Sequence, residues 1–337
     1  MKLSLMGLLL CAALFGQRKP GSPLDHLAPN EQRLTYFGER ADFSPDNQRV
    51  AFMAKSFGDA FVIDLKTRQI RCLTCGVPGT AFLRVMHLAN GDYVLIGPEK
   101  FKDISTGRHE DNELWYLSQA PNSKPVRLNQ KMSEGAALSK KSMKISYSET
   151  SAQNPALAKG ASQLTVADVE VSGGTARLVN KKVLHTSPNN SCTLEAQDFY
   201  DHESKMTFTC YEPQGLASAM SIDLKSGAVA NLSKAPGTYN ECEGIFPDGL
   251  YTCVEGDRHV AELGGGRGSR QIDIYKLKMD GTGKDFQRLT HFNDYEGWKA
   301  SNPVISTDGK WMAFQIARAA DEAGVGYGIM LHRLEEQ

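Results

Sequence analysis

Apolar and polar residues alternate in short runs along most of the chain, and the runs are broken by Pro, Asp, Asn and Gly rather than by helix caps. Ala41-Asp42-Phe43-Ser44-Pro45-Asp46-Asn47-Gln48-Arg49-Val50-Ala51-Phe52 and Asn302-Pro303-Val304-Ile305-Ser306-Thr307-Asp308-Gly309-Lys310-Trp311-Met312-Ala313-Phe314 are near copies. Each reads as a strand, a tight turn and a second apolar strand, the pattern of a β-hairpin. Gly244 to Tyr251 repeats it, Met86 to Leu95 does so more weakly, and Leu138 to Tyr147 and Gln197 to Thr209 fill the gaps. A third strand follows each hairpin: Ala60 to Leu65, Glu113 to Leu117, Leu164 to Val169, Ala219 to Leu224, Ile272 to Leu277 and Gly328 to His332. The chain is therefore built from six units of roughly 40 to 55 residues, each able to supply a four-stranded blade.

The fourth strands indicate how the units join. Arg71-Cys72-Leu73-Thr74, Val126-Arg127-Leu128-Asn129, Ala230-Asn231-Leu232-Ser233 and Arg288-Leu289-Thr290-His291-Phe292 follow their third strands, whereas the last unit ends without one. Its counterpart stands at the other end: Arg33-Leu34-Thr35-Tyr36-Phe37 matches Arg288 to Phe292 closely, yet precedes the first unit. An all-β, six-bladed β-propeller whose N-terminal strand completes the last blade accounts for both facts and removes an exposed sheet edge. The Ser-Pro-Asp-Asn and Ser-Thr-Asp-Gly hairpins with their Val-Ala-Phe and Met-Ala-Phe strands resemble the TolB-like, or WD40-like, propeller family over residues 32–337, taken as a single domain. An additional N-terminal domain of the kind TolB carries is not expected, and the Gly-x-Ser-x-Gly nucleophile elbow of the propeller-bearing prolyl peptidases does not occur in the sequence.

Residues 1–16 read as a signal peptide: Lys2 is the positive start, Leu3 to Phe15 the apolar run and Gly16 the small residue for cleavage. The run is shorter than the roughly 20 residues of a membrane span, and Leu10 before Cys11 argues against lipid attachment. Residues 17–31 are expected as a linker, and the product as secreted or periplasmic with no membrane span. A formal net charge of −1 provides no electrostatic footprint for nucleic acid. In an oxidising compartment the remaining cysteines are expected to pair. Cys242 and Cys253 lie equally far from the turn at Pro247-Asp248, Cys192 and Cys210 equally far from Asp201, and Cys72 and Cys75 remain for each other. A zinc site would need a second ligand pair at suitable spacing, which is lacking.

The family resemblance implies that first strands run from a ligand-facing top to the bottom, so loops between blades and between second and third strands lie on top. Those loops are strongly charged: Gly38-Glu39-Arg40, Lys55 to Asp59, Glu99, His109-Glu110-Asp111, Glu134, Glu195 to Asp198, Asn240 to Glu243, Glu255 to His259 and Asp294 to Asn302. Carboxylates, Arg, Lys and aromatics on one face suit a carbohydrate or glycoside ligand, with Tyr36, Tyr239, Tyr295 and Trp298 available to stack on sugar rings. None of the eight histidines has His-x-His or His-Glu-x-x-His spacing, so no metal and no cofactor are expected.

Tyr36 to Arg40, Lys55 to Ala60, Glu243 to Gly249, Asn302-Pro303-Val304 and Ala323 to Gly328 further resemble secreted saponin hydrolases, which release glucuronate-linked sugar chains from triterpene saponins. This resemblance implies glycoside hydrolysis by two carboxylates flanking the scissile bond. Glu39 and Glu243 are the expected pair, with Glu296, Asp294 and Glu195 in reserve. Substrate contacts are expected from Arg40, Lys55, Asp59, Arg258, His259, Trp298, Lys299 and Asn302, an arginine gripping a uronate carboxylate in a bidentate fork. The competing expectation is a non-catalytic propeller that binds a glycan or an envelope protein with the same face.

Overall fold

The computed structural model describes residues 17–79, 81–188, 191–263, 266–321 and 324–334. The expected signal peptide over 1–16 lies outside them. Six four-stranded antiparallel sheets follow one another in a ring. Blade 1 is Glu39–Phe43, Arg49–Met53, Ala60–Asp64 and Ile70–Cys72; blade 2 is Arg84–His87, Tyr93–Pro98, Asn112–Leu117 and Val126–Lys131. Blade 3 is Ala136–Leu138, Lys144–Thr150, Ser162–Ser172 and Thr175–Ser187; blade 4 is Thr193–Tyr200, Lys205–Glu212, Leu216–Asp223 and Val229–Asn231. Blade 5 is Asn240–Ile245, Tyr251–Gly256, Asp273–Lys278 and Phe286–Arg288.

Blade 6 combines Trp298–Ile305, Trp311–Arg318 and Ile329–Arg333 with Glu31–Arg33 from the other end of the chain, Arg33 facing Met330. The closing strand is the one the repeat predicts, but its ladder stops at Arg33 rather than at Phe37. The N–H groups of Leu34 and Thr35 both turn to the single carbonyl of Ile329, which pinches the pairing off. The segment expected as a linker lies against blade 6, where Lys19 pairs with Tyr295 and the Trp298 indole N–H donates to the Gly21 carbonyl at 3.1 Å.

The repeated letters have physical reasons. In the fourth-strand signature the leucine packs between blades, as Leu34 and Leu232 do. The following hydroxyl accepts a third-strand N–H: Thr74 from Ala60, Ser233 from Ala219, Thr290 from Ile274 and Thr35 from Ile329. In the hairpin signature Ser44 donates to Asp46 and Ser306 to Asp308, which folds each turn on itself. The apolar residues form one core between each pair of neighbouring blades. Phe43, Phe52 and Leu331 pack between blades 1 and 6, and Leu88, Ile145 and Tyr147 between blades 2 and 3. The ring's axis is left to polar side chains.

The cysteines follow the expectation in part. Cys72 pairs with Cys75 and Cys192 with Cys210, Cα atoms 5.8 and 5.2 Å apart, as suits an oxidising compartment. The second bridge is diagonal, since Cys210 stands opposite Leu194. Cys242 and Cys253 are both free and buried, contrary to expectation. A bulge between Cys242 and Ile245 slips the register so that Cys242 faces Val254. A one-residue slip sends neighbours to opposite faces. Cys242 thus joins the core between blades 4 and 5, while Cys253 enters the core between blades 5 and 6, its Sγ 3.8 Å from Met312 Sδ.

Candidate functional site

In blades 1, 4, 5 and 6 the first strand carries a bulge: between Glu39 and Asp42, Ala196 and Asp198, Cys242 and Ile245, and Ser301 and Val304. A bulge places two residues against one and re-aims the side chain it carries. Arg40 and Asn302, at the bulges of adjoining blades, have φ of 53° and 48°, a region that non-glycine residues rarely occupy. Each is held there by a side-chain acceptor: the Arg40 N–H donates to Gln315 Oε1 at 2.8 Å and the Asn302 N–H to Glu255 Oε1 at 2.5 Å.

The first strands surround a cavity of about 640 Å³ at the top of the channel, a size suited to a small ligand. Glu39 and Arg40 come from blade 1, Arg84 from blade 2, Glu195 from blade 4, Glu241 from blade 5, and Lys299 and Asn302 from blade 6. Blade 3 contributes Glu134, just ahead of its first strand, and Tyr211, Tyr239 and Glu255 complete the wall. Glu195 fits because residue 135 is glycine; a Cβ there would overlap its carboxylate.

Charge is unevenly spread round this wall. On the side of blades 1 to 3, Glu134 takes Arg40 at 2.9 Å and Arg108, the latter through two nitrogens. Burial works to raise its pKa, but Arg108 and Arg40 outweigh burial and hold it well below the usual carboxylate range. Arg108 reaches the cavity from a π-helical turn, Gly107–Asp111, a conformation frequent at functional sites. On the side of blades 4 and 5 the balance reverses. Burial, then Glu134, pushes Glu195 up to about 7, even though Arg84 stands 3.4 Å away. Burial, then Glu255, pushes Glu241 up to about 7. Glu243 and Glu255 are also raised, chiefly by burial.

The Tyr211 phenol oxygen lies 2.7 Å from Glu195 Oε2 and within hydrogen-bond distance of Glu241 Oε1. A phenol has one proton to give. Both contacts are hydrogen bonds only if one of the two carboxyls carries a proton of its own. Oxygens of Glu241, Glu243 and Glu255 all lie within 4.8 Å of one another and could hold a cation, an arrangement that no spacing in the sequence announces. Asp59, Cys72 and Cys75 also converge, but those sulfurs are in a disulfide.

Of the expected site residues, Glu39, Arg40, Glu195, Lys299 and Asn302 line the cavity. Glu243 lies behind them, its Oε1 accepting from the Asn302 amide at 3.2 Å. The others are elsewhere. Glu296 and Lys55 are exposed outside the cavity, and Asp294 accepts from Arg288 at 2.6 Å. Asp59 accepts from Thr74, and Trp298 stacks beneath Arg318. Arg258 lies over the Phe286 ring and donates to Asn240. His259 is wedged between Tyr275 and Asn293, where burial lowers its pKa to about 4. Sequence reasoning missed Arg84, Arg108 and Tyr211. Arg84 opens a first strand exactly as Glu39 does, so superposing the six units would have found it; Arg108 and Tyr211 follow no repeat.

No protein-family model matches the chain, and no curated protein is similar to it in sequence. Among solved structures, a TolB of Agrobacterium tumefaciens aligns with TM-score 0.52 and 13% identity over 81% of this chain and 97% of its own. Kuenenia stuttgartiensis hydrazine synthase aligns with TM-score 0.52 and 13% identity over 83% of each chain. At such identities the likeness extends to architecture alone: the chain has the six-bladed propeller fold that TolB proteins share. Among the described residues no helix is long and apolar enough to cross a membrane.

Proposed function

We propose that the chain is a glycoside hydrolase acting on a polar glycoside held in the top cavity. Glu195 gives a proton to the leaving oxygen, and Glu39, on the diametrically opposite blade, is the second carboxylate. The supporting observation is the proton requirement at Tyr211, which keeps a carboxylic acid in the cavity wall near neutral pH. A general acid works best with its pKa near the operating pH, and glycosidases combine such a group with an ionised carboxylate across the scissile bond. Glu39 is buried, its Oε1 accepts from Ser56 at 2.6 Å, and its Oε2 has no hydrogen-bond partner among the described residues. Arg84, a wall arginine that Glu134 does not hold, suits a carboxylate-bearing sugar such as a glucuronide, in keeping with the sequence resemblance to saponin hydrolases.

The test is sugar release by the mature, oxidised protein from glucuronides that include triterpene saponins and aryl glycosides. Glu195→Gln should lose at least about 100-fold on poor leaving groups and far less on activated aryl glycosides, which need no acid. Glu39→Gln should lose activity on both. Silence of the parent protein on the whole panel, with tight binding of a glycan or envelope protein to the same face, would overturn the enzyme reading in favour of a binding propeller.

A further inference from the structure

We infer that Glu134 is a specificity-determining residue: in the ligand-free cavity its carboxylate fills the Arg40–Arg108 clamp that receives the carboxylate of an acidic glycoside, and only a ligand bringing such a group expels it. The choice of a glycoside rests on the glycosidase reading; the displacement does not.

Glu134 belongs to the connection between Lys131, the last strand residue of blade 2, and Ala136, the first of blade 3. Its side chain can therefore turn without breaking a ladder. Arg108 Nε donates to Glu134 Oε2 at 3.0 Å and Arg108 Nη2 reaches both carboxylate oxygens, the fork in which arginine recognises carboxylates. Arg40 Nη2 donates to Oε1 at 2.9 Å. The side chains of Glu134 and Arg108 are 22% and 25% exposed and that of Arg40 only 8%, so the clamp is open to solvent on one side and closed at its base. Arg84 extends the same wall: it stands 3.4 Å from Glu195, which lies against Gly135, the residue after Glu134.

The rest of the cavity offers an anion little. Glu195, Glu241 and Glu255 line the side of blades 4 and 5, and Lys299 on blade 6 donates to the Ser269 carbonyl at 2.9 Å. A clamp filled by the chain's own carboxylate lowers the affinity of any ligand in proportion to how seldom the clamp stands open. A ligand carboxylate recovers that loss, because it restores the pairing with both arginines while Glu134 regains water. A neutral hydroxymethyl group restores nothing and leaves the two guanidiniums without their acceptor, a mismatch that discriminates strongly. Arg40 keeps a second acid in either state, its Nε standing 3.6 Å from Glu39 Oε1, which fixes the base of the opened clamp. Glu134 thus excludes the neutral glycoside, the repulsive half of specificity.

Calorimetry on the full mature chain compares phenyl 1-thio-β-D-glucuronide with phenyl 1-thio-β-D-glucoside, sulfur-linked glycosides that resist hydrolysis, at neutral pH and fixed ionic strength. Glu134→Gln should tighten the glucuronide about 10- to 100-fold and leave the glucoside within about twofold. Glu134→Asp keeps the charge on a side chain too short to hold both arginines, and should tighten the glucuronide about threefold or more. Adding Arg108→Gln to Glu134→Gln should remove the gain. Glucuronide binding that is unchanged or weaker in Glu134→Gln overturns the inference, and if that variant does not fold, Glu134→Asp decides in the same sense. Tightening in Glu134→Gln that Glu134→Asp does not share also overturns it, since long-range charge alone would do that. A cavity that binds neither thioglycoside in any variant overturns it as well. Sugar release is scored apart. A parent that cleaves glucuronides while neither variant gains affinity loses the inference and keeps the glycosidase reading; one that cleaves nothing while both variants gain keeps the displaced glutamate and loses that reading.

Discussion

The channel carries two buried charge clusters, one at each end, and they are built on opposite principles. At the bottom, Lys140 donates to both oxygens of Asp42 at 2.8 Å, and the His87 ring nitrogen lies 2.9 Å from the same carboxylate. Burial works to raise the Asp42 pKa, but Lys140 and His87 outweigh it and hold it below the ordinary value. The three residues come from blades 1, 2 and 3, so they tie three blades with the charge of Asp42 matched, while Asp198 of blade 4 beside them is pushed by burial up to about 7. At the top, Glu195, Glu241, Glu243 and Glu255 are as deeply buried, yet among the described residues no cation stands within ion-pair distance of Glu241, Glu243 or Glu255, and their pKa values are raised. A buried carboxylate without a partner is costly, and it lowers that cost by keeping a proton. The matched cluster holds structure; the unmatched one holds protons.

The sharpest way to break this contrast is to remove one partner at each end. Lys140→Met should destabilise the fold by about 3–5 kcal/mol, the cost of stranding a buried charge. Glu243→Gln at the top should leave stability unchanged or raise it at neutral pH. Urea unfolding of both variants measures this, and a Lys140→Met protein as stable as its parent would remove the distinction.

The fold was legible because its devices repeat. Six copies of a hairpin and four of a leucine-hydroxyl strand identify blade number, strand order and the closing strand, since each copy solves the same local hydrogen-bonding problem. The pairing of Cys242 with Cys253 failed where a bulge broke the period of two, which symmetry about a turn does not detect. The site was legible only where it shared the repeat. Glu39, Arg40 and Lys299 stand at first-strand starts and Asn302 at a first-strand bulge, whereas Arg108 sits on a π-turn in an insertion and Tyr211 at a strand end. Trp298, His259 and Arg258 were expected at the site because they lie near it in sequence, yet their hydrogen bonds and ring contacts commit them to holding the N-terminal arm and the rim of blade 5.

A second, somewhat smaller effect concerns what stiffens the top. The Cys192–Cys210 bridge joins the strands that carry Glu195 and Tyr211 and closes a segment with a sequence separation of 18. Replacing both cysteines with serine should cost about 3 kcal/mol by the chain-entropy relation, and should disturb the titration of Glu195 while leaving Asp42 unaffected. The Cys72–Cys75 bridge, with a separation of 3, should contribute much less. Thiol labelling of the native, oxidised protein should find Cys242 and Cys253 unreactive, and unfolding without reductant should release both. Disulfide mapping that joined them would contradict the bulged register of blade 5.

The smallest expected effect is also the one in which the two ends act with opposite sign. Glu195 and Glu241 have pKa values near 7 in the folded protein against an ordinary value of 4.5. Between those values the folded state binds more protons than the unfolded one, so stability falls as pH rises. Their contribution is fully present below about pH 4.5 and is lost as pH rises through about 7. Asp42 runs the other way: its folded pKa lies below 3.8, so its contribution is present above that value and is lost as the solution is acidified. Together they give a stability maximum on the acid side of neutrality. Thermal melts across about pH 3 to 9 should show both flanks. Glu195→Gln or Glu241→Gln should flatten the alkaline flank without changing the acid one, because each removes a group that binds its extra proton only when folded. An alkaline flank that survived both substitutions would move the retained proton from Glu195 and Glu241 to the other buried carboxyls whose pKa is raised, Glu243, Glu255 and Asp198 among them.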